Sequence, residues 1–313
     1  MTTEGTGGKP ARDIGLALSL SAAALGGGLD PWLAPVAAGR FDSVWSLENP
    51  LGDQAEPLVW LAAAATLVPD IGIGTAALIA PIRHPILLAR QLATLDHLTT
   101  GGLSVGVTIG RRPSDYELTG TEFASRGRIL DDAIDSVRAI WSPEPVDVSN
   151  RSWQFKAEGP IGIRPRQPAG PAILVGGHAE VALRRAARRG DGYLAGATSG
   201  SAHALAARAR LLDLLDEHNR DPLAFRFVAN LFVLIDSSRK AALQRADEIF
   251  RQRHGGPPPY DPVVVVAGGS TDEVAETVLE LLDGGYSGVN LVPVAMTLDH
   301  VEAAGEVAGL VRG

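Results

Sequence analysis

The chain has 313 residues, of which 45% are hydrophobic and 20% are charged, and its formal net charge is −8 at pH 7. This composition supports a large folded core, and the acidic balance argues against nucleic acid or an anionic membrane as the main partner. The sequence contains no cysteine, which excludes disulfides, thiolate metal sites and cysteine nucleophiles. No apolar stretch approaches the ~18 residues that a membrane-spanning helix needs. We therefore expect a cytoplasmic protein.

The first predicted elements lie close to the N-terminus. Residues 1–12 are predicted to form a flexible tail. The apolar run from Ile14 to Leu25 resembles the core of a secretory signal peptide, but Glu4 and Asp13 interrupt the basic leader that such a peptide carries. We therefore assign this run to the start of the fold and expect one domain over residues 13–313.

Short β-type runs alternate with helical patterns along the rest of the chain, which is typical of βα units around a parallel sheet. There are eight such runs, the number that a (β/α)8 TIM barrel requires. The predicted strands are 13–20, 43–48, 71–78, 103–110, 172–177, 192–196, 226–235 and 288–294. A ninth apolar run, Val263 to Ala267, follows a proline cluster and is predicted to lie outside the barrel. Two long segments, at about 142–171 and 254–270, are predicted to be insertions that form lids or binding loops.

The third predicted strand has small residues where large side chains would normally pack. Gly72-Ile-Gly-Thr-Ala-Ala77 matches the spacing of a dinucleotide-binding fingerprint, but the apolar run continues to Ile79 and no helix begins where the fingerprint needs one. This argues against a Rossmann site. Two interpretations remain: the small residues pack beneath a helix, or Ala76 and Ala77 form a bulge beside a flat ligand.

The fourth predicted strand ends in Gly106-Val-Thr-Ile-Gly110, and a loop with Arg111, Arg112 and Tyr116 follows. Side chains at the carboxyl ends of barrel strands face the mouth, where TIM-barrel active sites lie. Thr108 is expected there, the two arginines could meet an acidic ligand, and Tyr116 could cover a bound ring. The alternative is a solvated loop with one packed aromatic residue.

The fifth predicted strand ends in Val175-Gly-Gly-His178, which opens an arginine-rich helix whose arginines are expected to face mostly outward. Backbone N–H groups at a helix start, unobstructed by side chains at Gly176 and Gly177, form a site for an anion such as a phosphate. An ordinary glycine turn would give the same sequence.

The motifs of two other enzyme classes are missing from the sequence. The seven histidines form neither HxH nor HExxH, and no GxSxG occurs. We therefore expect neither a catalytic metal nor a serine-hydrolase nucleophile.

Together these blocks resemble the luciferase-like flavin and deazaflavin oxidoreductases. The resemblance covers most of residues 13–200 and, more weakly, 263–294. Its matching blocks are Phe41 to Trp45, Gly74 to Ala77, His84-Pro85, Thr94 to Asp96, Gly106, Gly110, Arg126 to Arg128, Ile173 to His178, Ala182 to Ala187 and Asp191 to Tyr193. The later blocks are most similar to the branch that uses the 8-hydroxy-5-deazaflavin coenzyme F-420. The resemblance also implies a homodimer.

The resemblance implies where the cofactor lies. In this family the ring sits at the C-terminal mouth of the barrel against a cis-peptide bulge in the third strand, which maps to Ala76–Ala77. The cofactor phosphate is held at the glycine turn after the fifth strand. The cofactor-binding residues expected on this basis are Thr75, Ala76, Ala77, Thr108, Arg111, Arg112, Gly176, Gly177 and His178.

The end of the second strand departs from the family pattern. The family usually has an acidic residue followed by a histidine that takes part in the chemistry, and here the residues are Glu48 and Asn49. Asparagine cannot exchange a proton near neutral pH. Glu48 is either the replacement proton-transfer group or a buried carboxylate paired with a barrel arginine. The expected catalytic residues are Glu48, Asn49, Thr108 and Tyr116.

Three functions are consistent with the sequence. The leading hypothesis is an F-420-dependent oxidoreductase that transfers a hydride to or from a small organic substrate. The second is a two-component monooxygenase that uses reduced FMN and needs a separate flavin reductase as a partner. The third, motivated by Asn49, is a barrel that binds a cofactor or ligand without turnover.

Overall fold

The computed structural model describes residues 12–313, and the predicted tail over residues 1–12 lies outside the described residues except for Arg12. The strands of the described part are β1 (Asp13–Leu18), β2 (Ser43–Ser46), β3 (Gly72–Ile79), β4 (Leu103–Thr108), β5 (Val146–Ser149), β6 (Gln154–Ala157), β7 (Ala172–Gly176), β8 (Gly192–Ala195), β9 (Arg226–Ile235), β10 (Val266–Gly269) and β11 (Gly288–Pro293).

Helices separate most of these strands. They are α1 (Ala22–Gly26), α2 (Asp30–Ala37), α3 (Pro57–Leu67), α4 (Pro85–Leu98), α5 (Pro113–Thr119), α6 (Arg126–Trp141), α7 (Glu180–Arg189), α8 (Gly200–Glu217), α9 (Arg239–His254), α10 (Pro262–Val265), α11 (Thr271–Asp283) and α12 (Leu298–Arg312).

Eight parallel strands close into a barrel, in the order β1-β2-β3-β4-β7-β8-β9-β11, with β11 paired to β1 and β8 paired to β9. Each of the eight predicted strands supplies one barrel strand, so the predicted (β/α)8 architecture is confirmed. Several strands end one or two residues earlier than predicted. Glu48 consequently lies on the loop that follows β2.

The long helix α6 shows how a helix buries one apolar stripe against the barrel, as its 3.6-residue periodicity predicts. In α6 this stripe contains Leu130, Ile134, Val137 and Trp141, which are all buried. Among residues 12–313, no helix combines the length and the apolar character needed to cross a membrane. The same residues contain no group of three or more His, Cys, Asp or Glu side chains placed to hold a metal ion.

The two predicted insertions contain small elements of their own. In the segment 142–171, β5 and β6 form an antiparallel pair. In the segment 254–270, only the end of the ninth apolar run forms a strand. Its first residues, from Val263, belong to α10, and β10 begins at Val266 and pairs in parallel with the carboxyl half of β9. At its carboxyl end β9 extends beyond β8, so this part of β9 has a free edge. β10 pairs with that edge and attaches the insertion to the barrel.

The centre of the barrel is filled by Trp45. A Cβ atom at Gly74 would lie 2.2 Å from the indole, and one at Gly15 would lie 2.8 Å from the indole nitrogen. That nitrogen donates to Ser43 Oγ over 2.8 Å. The glycines of the first and third strands therefore make room for a side chain of the protein itself. Space for a ligand begins beyond Trp45, nearer the mouth of the barrel, at Ala76.

Candidate active site at the barrel mouth

Two adjoining chambers open at the carboxyl ends of the barrel strands. The first chamber has a volume of about 500 Å³ and lies mainly over the ends of β3, β4, β7 and β8. The second chamber has a volume of about 640 Å³ and lies mainly over the ends of β1, β2, β9 and β11, beside the carboxyl end of α9. The residues that line both are Leu47, Glu48, Arg111, Arg112 and Thr198. Both volumes are typical of sites for small molecules and cofactors.

The floor of the first chamber is a bulge in β3. The pairing of β3 with β4 is irregular between Thr75 and Leu78, and the peptide bond between Ala76 and Ala77 is cis, as the family resemblance implied. Ala76 and Ala77 line the chamber. Thr75 does not, which corrects its predicted place. It is fully buried, and its hydroxyl donates to the Gly106 carbonyl oxygen over 2.9 Å, so it holds the bulge against β4 from behind.

The glycine turn after β7 forms one wall of the first chamber, with Gly176, Gly177 and His178. Gly177 has a φ of 130°, and a Cβ atom there would lie 2.7 Å from the Cβ of Ala182. The residue before α7 is Ala179, whose methyl group cannot accept a hydrogen bond from the first turn of the helix. The N–H groups of Ala182 and Leu183 donate to the Ala179 carbonyl oxygen, and those of Glu180 and Val181 remain available to a ligand, which fits the predicted anion site.

Two arginines outside the predicted set line the first chamber. Arg185 is only 8% exposed, contrary to the expected outward orientation, because it donates to Asp131 Oδ1 over 2.6 Å and to the Gly127 carbonyl oxygen over 3.1 Å. The guanidinium of Arg126 lies 3.8 Å from the centre of the Phe123 ring. In residues 12–313 the Nε of Arg126 has no hydrogen-bond partner and its charge has no carboxylate partner. This wall therefore carries an uncompensated positive charge.

Thr108, Arg111 and Arg112 lie where β4 ends and its loop begins, and all three line the first chamber. Arg112 donates to Asn49 Oδ1. Arg111 has no carboxylate partner within the described part of the chain. Asn49 faces the second chamber and not the first. The predicted loop thus places two cations at the boundary of the chambers.

Glu48 forms a buried ion pair with Arg83. The two side chains are 4% and 16% exposed, and Glu48 accepts hydrogen bonds from both terminal nitrogens of Arg83 and, over 2.6 Å, from the Ile79 N–H. Burial alone would lower the pKa of Arg83, but the carboxylates of Glu48 and Glu56 raise it above its usual value. Of the two interpretations of Glu48, this geometry supports the buried carboxylate with a barrel arginine. The pair ties the end of β2 to the end of β3, just beyond the bulge.

Tyr116 does not cover the mouth. Its side chain is fully buried, its ring packs edge-on against Phe123 at 5.2 Å between ring centres, and its hydroxyl donates to the Ile109 carbonyl oxygen. Burial raises the pKa of Tyr116 to about 12. The apolar ring is more stable packed beneath the loop than exposed above a chamber, so the predicted catalytic position of Tyr116 is corrected.

Asn230 lines the first chamber and was not predicted. Its Nδ2 donates to the Ala76 carbonyl oxygen over 3.5 Å, and its Oδ1 accepts from Asn290 Nδ2 over 2.9 Å. The two asparagines are register partners on β9 and β11. The only sequence signal for this pair is one polar residue in the apolar interior of each strand.

Known proteins resemble this chain in sequence and in fold. The chain is 30% identical to the F-420-dependent glucose-6-phosphate dehydrogenase of Amycolatopsis mediterranei over 169 residues, which cover 51% of this chain and 49% of that protein. The chain spans half or less of the length of the curated relatives it matches. An F-420-dependent secondary alcohol dehydrogenase, solved with an F-420–acetone adduct, superposes with a TM-score of 0.79 at 18% identity, covering 97% of this chain and 100% of that one.

A second solved structure with the same fold contains a different bound molecule. The oxygenating constituent of 3,6-diketocamphane monooxygenase from Pseudomonas putida, in complex with FMN, superposes with a TM-score of 0.70 at 18% identity, covering 90% of this chain and 91% of that one. At this identity the likeness shows the fold alone. The sequence model of the luciferase-like monooxygenases matches residues 37–257, more than half of the chain. The chain therefore belongs to the luciferase-like monooxygenase family.

Proposed function

We propose that the protein is an F-420-dependent oxidoreductase that moves a hydride between the deazaflavin and a small organic substrate. The first chamber would hold the cofactor, and the second would admit the substrate to its reactive face. One observation carries the proposal: a single chamber combines the bulged floor of β3, the uncapped start of α7 and the uncompensated charge of Arg126.

The first chamber fits the parts of such a cofactor. The methyl groups of Ala76 and Ala77 offer a flat apolar floor for a ring. The turn at Gly177 and the start of α7 suit a phosphate. Coenzyme F-420 continues beyond its phosphate into an acidic tail, and Arg112 lies at the edge of the chamber to meet it. This last feature favours F-420 over FMN, which ends at the phosphate.

A bound 5-deazaflavin would supply a carbon that accepts or donates a hydride, and the protein would orient and shield the reactants. Thr108 and Asn49 can donate and accept hydrogen bonds on the two sides of the boundary between the chambers. The apolar floor at Ala76 would exclude water from one face of the ring.

Oxidation of an alcohol also releases a proton, and we assign its transfer to His254. Glu48 is committed to Arg83, and Asn49 cannot exchange protons. His254 lines the second chamber, with Nε2 3.0 Å from the Tyr260 hydroxyl oxygen. Burial lowers the pKa of His254, and the positive charge of three neighbouring arginines lowers it further. The ring is therefore neutral near pH 7 and able to accept a proton.

A fluorescence titration with F-420 and with FMN tests the proposal. We expect F-420 to bind with a dissociation constant in the low micromolar range or below, and more tightly than FMN. Tighter binding of FMN would overturn the proposal in favour of the two-component monooxygenase, with a flavin reductase as its partner. Binding of neither would remove the cofactor assignment altogether.

We also propose that two copies of the chain associate through α3. This helix contains no charged residue, and its outward residues Val59 and Leu67 are 70% and 47% exposed. Leu87 at the start of the adjacent α4 is 58% exposed. An uncharged apolar face of this kind suits a symmetric interface between identical chains. Sedimentation velocity should show a dimer, and Val59→Glu should yield a monomer with an unchanged circular dichroism spectrum. A monomeric unmodified protein would contradict the proposal.

A further inference from the structure

The second chamber has an aromatic wall. The ring of Tyr260 lies 5.1 Å from that of Phe250 and 6.3 Å from that of Phe232, measured between ring centres. Phe232 and Tyr260 line the chamber together with Val292 and Met296. These side chains present a continuous apolar surface, against which the planar or aliphatic body of a ligand can pack.

The same chamber carries more positive charge than negative charge. Arg253 is held in place because its Nη2 donates to the Val294 carbonyl oxygen over 2.7 Å. In residues 12–313, neither Arg253 nor Arg111 forms an ion pair with a carboxylate. Of the two acidic residues that line the chamber, Glu48 is neutralised by Arg83, which leaves Asp53.

Unsatisfied polar atoms mark another part of the chamber lining. Ser19 Oγ and Gln54 Oε1 are buried and have no hydrogen-bond partner within the described part of the chain, and both residues line the second chamber. Buried polar atoms are normally hydrogen-bonded, so this part of the lining also suits a polar ligand. His254 is neutral near pH 7, which leaves the arginines as the cations of the chamber.

We propose that the second chamber binds an organic acid, with Arg253 and Arg111 holding its oxyanion and with Phe232 and Tyr260 packing against its apolar body. Arg253 is the key residue, because it lines the second chamber only, and its Nε and Nη1 have no acceptor among the described residues. A guanidinium fork suits the oxygens of a carboxylate or a phosphate. The assignment of this acid as the substrate rests on the proposed function. The binding of the acid in the second chamber does not depend on that function.

Calorimetric titrations of the full chain with benzoate, phenyl phosphate and benzamide test the proposal without any cofactor. These probes share one ring size and differ in charge. We expect at least one anion to bind about tenfold or more tightly than neutral benzamide, and the preferred anion identifies the oxyanion as carboxylate or phosphate. Equal binding of benzamide and both anions would overturn the proposal.

Arg253→Gln should weaken binding of the preferred anion about tenfold to a hundredfold and leave benzamide binding unchanged. Arg251→Gln is the matched control, since Arg251 lies on the same helix but pairs with Asp247 away from the chamber. Arg111→Gln provides a second variant that does not disturb the contact with Val294. Unchanged anion affinity in both chamber variants would overturn the proposal.

Ala179→Asp separates this inference from the cofactor assignment. It places a negative charge at the start of α7 in the first chamber. If the anion binds in the second chamber, Ala179→Asp should leave its affinity unchanged. If the anion instead binds at the start of α7, Ala179→Asp should weaken it and Arg253→Gln should not, which would contradict the proposal.

Discussion

The two chambers at the barrel mouth are built from different parts of the chain. The first is shaped mainly by backbone: a bulge in β3, a glycine turn at Gly177 and the start of α7. The second is shaped by long side chains from α9 and the loop after it, above all Arg253 and Tyr260. Backbone features recognise the general shape and charge of a ligand, whereas side chains on loops can select one ligand among many. The division suggests that one chamber serves a cofactor and the other a specific substrate.

The largest expected effect tests the chemistry assigned to the second chamber. Once a substrate is known, His254→Gln should lower the turnover number by about 10²–10⁴-fold, the usual contribution of a positioned acid or base. For the unmodified protein, we expect turnover to fall as the pH drops through the lowered pKa of His254, below its usual ~6.5, because the protonated ring can no longer accept a proton. The acid limb of the pH–rate profile should disappear in the variant. An unaltered profile would remove His254 from the mechanism.

The next test concerns the ion pair that joins the two chambers. Glu48→Gln leaves the charge of Arg83 less compensated, and we expect the free energy of unfolding to fall by about 2 kcal/mol, with Glu56 retaining part of the pairing. Glu56→Gln is the control, since Glu56 is 44% exposed and its replacement should cost well under 1 kcal/mol. Urea unfolding measures both. If Glu48→Gln keeps the stability but shifts the pH–rate profile, Glu48 transfers protons and the structural assignment is wrong.

A third test addresses the anion site of the first chamber. Gly177 is a poor position for it, because a side chain there would be strained and would clash with Ala182. Ala179→Asp instead caps α7 and adds a negative charge beside the expected phosphate, which should weaken F-420 binding about tenfold to a hundredfold. Ala179→Asn caps the helix equally well without the charge. Similar F-420 affinities in the two variants would place the phosphate elsewhere.

The smallest expected effect concerns Tyr116. Tyr116→Phe removes one hydrogen bond to the Ile109 carbonyl oxygen and should cost about 1 kcal/mol of stability. Because the ring is buried beneath the loop, F-420 affinity should change less than about twofold, well under the effect of one hydrogen bond. A large loss of affinity in the titration would show that Tyr116 reaches the ligand.

The sequence predicted the first chamber better than the second for a physical reason. Glycines and alanines at the end of β3 and after β7 determine local backbone geometry, and the family resemblance implied the bulge at Ala76–Ala77, which lines the first chamber together with Gly177. Alternation of apolar runs likewise predicted all eight barrel strands. These features depend on residues that are close together in the chain.

The features that the sequence missed depend on contacts between distant residues. Arg185 turns inward because Asp131 of α6 accepts its hydrogen bond, and Glu48 is occupied by Arg83, 35 residues further along the chain. Arg253 could not be assigned to the mouth, because its position there depends on the contact of its Nη2 with the Val294 carbonyl oxygen, 41 residues further along the chain. Periodicity contains no information about such pairings.

The most direct test of separate cofactor and substrate chambers is a titration with F-420 in the absence and presence of saturating benzoate or phenyl phosphate, whichever binds more tightly. If the chambers hold different ligands, the two should bind together, each at one per chain, with the F-420 dissociation constant changed by no more than a few-fold. Competition, seen as an F-420 dissociation constant that rises in proportion to the anion concentration, would show that both ligands occupy one site and would contradict this account.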